Sequence, residues 1–273
     1  MKYPVIHQTA IIDPSAKIGE GTIIGPFTII GKNTIIGKNN KIGPSCIIEN
    51  TTMGDGNELI GHCFIGVKPQ DLSYQDGFES RVQIGNKNKI RECVTIHRST
   101  KLEQPTVVGD SCLLMANSHV AHDCILGNNI ILANCCGVAG HARIADHAIL
   151  SGLTGVHQFV RIGRFAMLSG LSGLVLDLPP FCYATGTRAK LAGLNLIGLK
   201  RAGFKPEVVR AIKKAYMALF VSDRTMEESI KLLRSQPQVA EVMELIEFCE
   251  STERGITTSR AKSRKNKDEE DDE

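Results

Sequence analysis

An aliphatic residue returns at every sixth position in two long runs. Ile6, Ile12, Ile18, Ile24, Ile30, Ile36, Ile42 and Ile48 form one; Ile84, Ile90, Ile96, Leu102, Val108, Leu114, Val120, Leu126, Leu132, Val138, Ile144, Leu150, Val156, Ile162, Leu168 and Leu174 form the other. Neither an α-helix, with 3.6 residues per turn, nor a half-buried strand, with its alternation of two, gives that rhythm. A period of six is the mark of a hexapeptide solenoid. Gly or Ala often follows the aliphatic, as in Ile18-Gly19, Ile24-Gly25 and Leu126-Gly127. The pattern therefore predicts a parallel β-helix in which each hexapeptide is a short strand and a corner, the aliphatic pointing inward and the small residue letting the chain turn. Three hexapeptides close one coil, so residues 18 apart stack at strand spacing, roughly 4.8 Å.

Such a stack has open edges only at its ends, which need caps. Asp177-Leu178-Pro179-Pro180 stops the second run, and from about Gly193 the spacing turns helical. Val208, Val209, Ile212, Tyr216, Leu219 and Phe220 follow Pro206, a favoured first-turn residue, and Thr225-Met-Glu-Glu228 is a capping box for a second helix. Residues 239–248 suggest a third. The expected organisation is a solenoid over residues 1–192, a helical domain over 193–257 and a disordered charged tail over 258–273. Between the two runs, Ile60-Gly61 and Ile65-Gly66 are out of step with each other, and residues 68–80 are polar. A second inserted loop is expected at residues 98–106, where the in-phase Leu102 is flanked by Lys101, Glu103, Gln104 and Pro105 and reads as accidental. Insertions in a repeat protein leave the stack and commonly carry function.

Net charge is only +3, with residues 260–267 basic and 268–273 wholly acidic. No basic stripe with interleaved aromatics points to nucleic acid, and no apolar run is long enough for membrane insertion. Nine cysteines without a Cys-x-x-Cys pair point to reduced thiols in a soluble cytoplasmic protein.

Chemistry is expected where the repeat carries polar residues it does not need. His119, His122, His141 and His157 crowd the middle of the second run. By the 18-residue rule His122 shares a column with Gly140 and Gln158, His119 with Gly137 and Gly155, and His157 with Ala121 and Ala139. Large polar side chains beside columns of small ones predict a groove about one side chain wide. Neutral imidazole, with an ordinary pKa of about 6.5, can take a proton from an alcohol near neutrality. Asp123 could orient the His122 ring, although adjacent residues on a regular strand face opposite ways, so that contact needs a corner. Gly140, one strand spacing above, could offer a bare backbone N–H to an oxyanion. No Ser or Cys nucleophile stands convincingly beside the base, which favours direct transfer over a covalent enzyme intermediate.

Gly66-x-x-Pro-Gln-Asp-Leu72, Ile90-Arg-Glu-x-Val-Thr-Ile-His-Arg98, His119-Val-Ala-His-Asp-Cys124, Val138-Ala-Gly-His141, Val156-His-Gln-Phe159 and Asn195-x-x-Gly-Leu-Lys-Arg201 together resemble the acyl-ACP:UDP-N-acetylglucosamine O-acyltransferases over about residues 5–255. The resemblance implies a homotrimer of left-handed β-helices with active sites in clefts between subunits. It implies transfer of a 3-hydroxyacyl chain from acyl carrier protein to the glucosamine 3-OH of UDP-N-acetylglucosamine, the first step of lipid A biosynthesis, with no cofactor or metal. By motif position His122 would be the general base, Asp123 its partner and Gly140 the oxyanion donor. His119, His141, His157 and Gln158 would line the cleft, Asp71 would hold the sugar, and Asn195 and Arg201 would address the nucleotide. Gly170 matches the position that limits acyl length; it lies 48 residues past His122, roughly 13 Å along the axis at strand spacing. Three positions depart from the usual pattern: Ser73 stands for a Lys, Ile197 for a Glu and Ala202 for a second Arg. Other readings are an acyltransferase acting on an amino-sugar acceptor, a γ-class carbonic-anhydrase-like enzyme with zinc on His119, His122 and His141, and a non-catalytic scaffold.

Overall fold

The short strands stack into three faces of 11, 9 and 8 strands, parallel throughout except for the last strand of the first face, Lys190–Leu194. The computed structural model describes residues 3–75 and 77–259. The first face starts at Val5–Ile6, the second at Ile11–Ile12 and the third at Lys17–Ile18, so the chain visits the faces in rotation. Where the period is intact the register is 18, as in Ile12↔Ile30 and Val120↔Val138. Inward residues from Ile24 to Leu174 form a continuous buried core, whereas Ile6, in the first described coil, is exposed. The glycines after the aliphatics are needed because coils stack backbone to backbone: a Cβ on Gly19 would lie 2.4 Å from the carbonyl oxygen of Gly37.

Three breaks in register separate the two runs. Ile48 pairs with Ile65, 17 residues on, so one coil is a residue short. Leu59, not Ile60, takes the core position there and is fully buried. Ile65 then pairs with Ile96 after 31 residues, an insertion of 13 that accommodates residues 68–80. Ile96 pairs with Val120 after 24, an insertion of 6 that accommodates residues 98–106. Leu102 is accordingly 58% exposed, and its phase with the aliphatic run is accidental. Both insertions leave from the same edge of the prism, where the second face turns into the third.

The corners have their own periodicity. Asn33, Asn39, Ser45, Asn117, Asp123, Asn129, His141, Phe159 and eleven other non-glycine corner residues, together with Asn50 at the shortened coil, have φ near +46° to +65°, the left-handed region that turns the chain between faces. Corner aromatics stack coil on coil: His141 on Phe159 with ring centroids 4.5 Å apart, and His147 on Phe165 at 4.5 Å.

The stack ends in a hairpin that the repeat pattern did not foretell, Cys182–Thr185 antiparallel to Lys190–Leu194. Among the described residues four helices follow: α1 Leu196–Arg201, α2 Pro206–Phe220, α3 Met226–Arg234 and α4 Ala240–Glu250. Pro206 opens α2, and Thr225 and Glu228 form the reciprocal capping box of α3. The helical region is clamped to the last coils by Arg164–Glu244 at 2.7 Å and by Arg161, which bonds the buried Asp177 at 2.9 Å and the Phe248 carbonyl at 2.8 Å. Thr258 accepts from the Leu191 N–H, so the chain is still paired at the start of the expected tail; residues 260–273 lie outside the described residues. All nine cysteines are free thiols. No helix among the described residues is long and apolar enough to cross a membrane.

Candidate active site

Stacking puts His122 and Asp123 at the corner between the second and third faces, one coil above the 98–106 insertion and two above 68–80. Asp123 has φ +60°, and this left-handed corner resolves the strand geometry that would otherwise point neighbours apart. Its Oδ2 lies 2.7 Å from His122 Nδ1. The carboxylate also accepts from the Ser99 hydroxyl, from Thr100 Oγ1 at 2.7 Å and from the Thr100 N–H, while its own N–H donates to Thr106 Oγ1 at 2.8 Å. Burial opposes the Asp123 charge, but the hydrogen bonds from His122, Ser99 and Thr100 outweigh it and hold the carboxyl well below the usual range. An ionised Asp123 accepting from Nδ1–H fixes the His122 tautomer, leaving the Nε2 lone pair free.

On the Nε2 side stands Asp71, carried by the longer insertion, with Oδ2 3.8 Å away. Its other oxygen accepts from the Ser73 hydroxyl at 2.7 Å and the Ser73 N–H at 2.8 Å, which keep the Asp71 carboxyl ionised below its ordinary range. Ser73, the departure from Lys, thus orients Asp71. The gap to Nε2 is too long for a hydrogen bond. It leaves two acceptors side by side, each able to take a different hydroxyl of one polyol.

Gly140 packs over the His122 ring, where a Cβ would lie 2.6 Å from Cε1. Its N–H bonds to no group among the described residues. The His141 ring meets His122 edge to face at 5.2 Å, with Nε2 3.7 Å from Asp123 Oδ2. Burial lowers the His141 pKa, against the pull of Asp123. A groove of about 590 Å³ runs from here over the second face, lined by Gln70, His119, His122, Gly140, His157 and Gln158 among others. The outward residues of that face, Gly137, Gly155 and Gly173, form its floor; a Cβ on Gly137 or Gly155 would meet nothing within 4 Å. The trench expected from stacked small residues is therefore present.

Asn195, Arg201 and Gly170 lie elsewhere. Asn195 and Arg201 line a separate cavity of about 1020 Å³ on the first face, with Ile131, Ile149, Met167 and Tyr183. The Asn195 side chain is occupied within the chain: Oδ1 caps α1 by accepting from Gly198 N–H at 3.0 Å, and Nδ2 donates to the Phe165 carbonyl at 3.0 Å. Gly170 is exposed on the corner between the first and second faces and lines neither cavity.

Sequence reasoning missed four groups. Ser99 and Thr100 hold Asp123. His97 is buried with its ring edge-on to His119 at 4.9 Å, and its Nδ1 has no partner. Burial and the neighbouring His119 and His122 push its pKa down to about 4. Arg254 reaches back from beyond α4 to donate to His157 Nδ1 at 2.7 Å. Only the insertion itself signalled Ser99 and Thr100; nothing in the period signals a contact 97 residues away. The three-histidine zinc set does not assemble. His119 Nδ1 is 2.7 Å from Thr95 Oγ1, and among the described residues the groups whose ligand atoms converge are His122, Asp123 and His141.

Three family models match: residues 177–257 fit "Udp N-acetylglucosamine O-acyltransferase; Domain 2", 105–140 fit "Bacterial transferase hexapeptide (six repeats)", and 6–70 fit the GMPPB C-terminal domain. The acyl-[acyl-carrier-protein]–UDP-N-acetylglucosamine O-acyltransferase of Thermodesulfovibrio yellowstonii is 46% identical, with 92% of this chain and 98% of that protein covered. That of Trichlorobacter lovleyi is 48% identical at the same coverage. The chain belongs to this O-acyltransferase family. The solved UDP-N-acetylglucosamine acyltransferase of Francisella novicida superposes with a TM-score of 0.91 at 37% identity, covering 95% of this chain and 96% of that one. This O-acyltransferase accordingly has the expected fold class, a left-handed parallel β-helix of hexapeptide repeats with a C-terminal helical region.

Proposed function

We propose that this acyltransferase moves a 3-hydroxyacyl chain from acyl carrier protein to the glucosamine 3-OH of UDP-N-acetylglucosamine, opening lipid A biosynthesis, with His122 as general base. The observation that carries the mechanism is the aligned set Asp123 Oδ2, His122 Nδ1 at 2.7 Å, and the open Nε2 facing Asp71 Oδ2 across 3.8 Å. The acceptor hydroxyl donates to Nε2, while Asp71 accepts from another hydroxyl of the same sugar. The acceptor oxygen attacks the carrier-bound thioester carbonyl as its proton passes to Nε2, and Asp123 stabilises the imidazolium. The Gly140 N–H donates to the oxyanion. Collapse breaks the C–S bond, and the imidazolium returns its proton to the departing thiolate, so ester and thiol are the products.

Direct transfer is supported by the state of the nearest thiol. Cys124 is buried, donates to the Ala139 carbonyl at 3.2 Å, and is pushed up by burial to a pKa of about 12, so it is no nucleophile at neutrality.

The separation of the two cavities supports a homotrimer. The groove of the second face contains the base but not Asn195 or Arg201, which line the first face. Packing three prisms around an axis lays the first face of one subunit along the second face of the next, completing each site in trans. Gly170, on the corner between those faces, then borders the acyl path. We place the enzyme in the cytoplasm, with its nucleotide-sugar and carrier-protein substrates.

The test is turnover of UDP-N-acetylglucosamine with a series of 3-hydroxyacyl carrier proteins. His122→Ala should lose at least about 10²-fold in kcat; undiminished turnover would remove the general base. Mixing inactive His122→Ala and Arg201→Ala subunits should restore part of the activity through shared sites, and no recovery after verified subunit exchange would count against assembly in trans.

A further inference from the structure

The insertion at residues 98–106 has a use that follows from its hydrogen bonds. Asp123 has two oxygens and about four lone-pair sites. His122 Nδ1 takes one, at 2.7 Å. The others meet the Ser99 hydroxyl on Oδ1, Thr100 Oγ1 at 2.7 Å on Oδ2, and the Thr100 N–H at 3.2 Å from Oδ1. Ser99 is fully buried and is itself held: its Oγ accepts from the Lys101 N–H at 2.9 Å, and its carbonyl accepts from the Ser80 hydroxyl.

Arg98, immediately before, faces the other way. Its guanidinium donates to Glu49 Oε1 at 3.0 Å, to the Gly66 carbonyl at 3.1 Å and to Tyr74 Oη at 3.0 Å. Tyr74 belongs to the insertion that carries Asp71, and its N–H donates to the Asp71 carbonyl at 3.1 Å. Three consecutive residues therefore grip the loop that faces Nε2 of the base and the carboxylate that faces its Nδ1.

We infer that Arg98-Ser99-Thr100 is a positioning strap, in which the Ser99 and Thr100 hydroxyls fix the Asp123 carboxylate against His122 and set how much of its charge the ring receives. Both hydroxyls face Asp123, and neither residue lines the groove. The coil with a plain corner would need no extra residues here; the six inserted ones bring two hydroxyls up to the next coil's corner. The other charged or titratable groups facing the pair are Asp71 and His141, with His119, His97, Lys101 and Cys124 around them. None of these donates a hydrogen bond to Asp123. Each donor removed from the carboxylate leaves more of its charge for the ring, so the imidazolium is stabilised and the ring titrates at higher pH.

The inference rests on His122 being the base, and two readouts separate the claims. Ring titration of His122 by NMR and the pH profile of kcat/KM are measured for Ser99→Ala, Thr100→Val and Thr100→Ser in the full-length assembled enzyme. In Ser99→Ala and Thr100→Val, the ring midpoint and the acid limb should both move up by about half a unit or more, and kcat should fall roughly 10-fold, with KM for the nucleotide sugar within about twofold. Thr100→Ser keeps the hydroxyl and should match the unsubstituted protein. In an Asp123→Asn background Ser99→Ala should add no further shift. An unmoved ring midpoint in both hydroxyl deletions overturns the strap, as does an equal shift in the Asp123→Asn background, which would mean general loosening. Should Ser99→Ala not fold, the Thr100→Val against Thr100→Ser comparison decides alone. A ring midpoint that moves while the acid limb stays supports the strap and overturns His122 as base.

Discussion

Gly140→Ala should inactivate this enzyme without unfolding it. An added Cβ would lie 2.6 Å from His122 Cε1, 2.8 Å from Nε2 and 3.2 Å from Nδ1. Carbon atoms in contact prefer about 3.5–4.0 Å, so the ring must retreat by about 1 Å. It has little room to do so, because Nδ1 is tied to Asp123 and Asp123 to Ser99 and Thr100. Lifting the Gly140 corner instead strains the bond from Phe159 N–H to the Gly140 carbonyl, 3.0 Å long. Displacing a reacting group by about 1 Å costs about 10²-fold, or about 2.7 kcal/mol of transition-state stabilisation. The backbone N–H survives the substitution, so the loss measures placement of the base rather than removal of the oxyanion donor. Gly140 is not among the glycines with left-handed φ, so alanine adds no backbone strain there. The gain of about 0.4–1 kcal/mol usual for Gly→Ala offsets part of any lost contact. The measurement is kcat and KM alongside the thermal midpoint. A Gly140→Ala enzyme with kcat within threefold of the unsubstituted protein would refute the argument.

Acid should destabilise the fold above the carboxylate range. His97 is held near pKa 4 by burial and by His119 and His122, so between about pH 6.5 and 4 the unfolded chain binds a proton that the folded one refuses, and stability falls as pH falls. From pH 7 to 4.5 this amounts to about 2–3 kcal/mol, with His119 and His141 acting in the same direction. Asp123 also loses stability with acid, but only below about pH 3.9. Urea midpoints at the two pH values should converge in His97→Gln; an unchanged difference would show that His97 is not responsible. Gly170→Met should shorten the preferred acyl chain with little effect on folding, since a Cβ there makes only ordinary contacts, with the Gly152 carbonyl at 3.4 Å and Ser151 Cβ at 4.0 Å. The readout is relative kcat/KM across 3-hydroxyacyl carrier proteins of graded length, and an unchanged profile would remove Gly170 from the acyl path.

What the period states directly, the structure repeats: three faces, a core of every sixth aliphatic, and His122 beneath Gly140. These are legible because stacking at 18 depends only on an uninterrupted local pattern. The terminal hairpin was not legible, because Cys182–Thr185 and Lys190–Leu194 pair once and carry no repeat. The motif places Asn195 at the first-face cavity, while packing gives its amide two partners inside the chain, the Gly198 N–H and the Phe165 carbonyl. A motif gives the residue's place, but which partners compete for its side chain depends on packing. The same is true of Arg254, whose contact with His157 joins parts of the chain that no periodicity relates.

The breaks locate the site more closely than the repeat does. Ile65 to Ile96 spans 31 residues and Ile96 to Val120 spans 24, so the two insertions leave in successive coils from one edge of the prism. The next coil places His122 and Asp123 at that same edge, and the coil above it places Gly140 and His141 there. Simple 18-residue arithmetic applied across residues 68–106 would scatter these groups over different faces. Subtracting the insertions aligns them: Asp71 on the lowest loop, Ser99 and Thr100 on the next, then the base and its partner, then the glycine that admits the ring. The order also explains why the loops lie below the base. The insertions sit in the two coils immediately below it, close enough for Asp71, Ser99 and Thr100 to reach His122 and Asp123. If either insertion were shortened to restore an 18-residue coil, the core would keep its register, but Asp71 or the Asp123 donors would be withdrawn from His122. Shortening either insertion should therefore cost activity before it costs the stack.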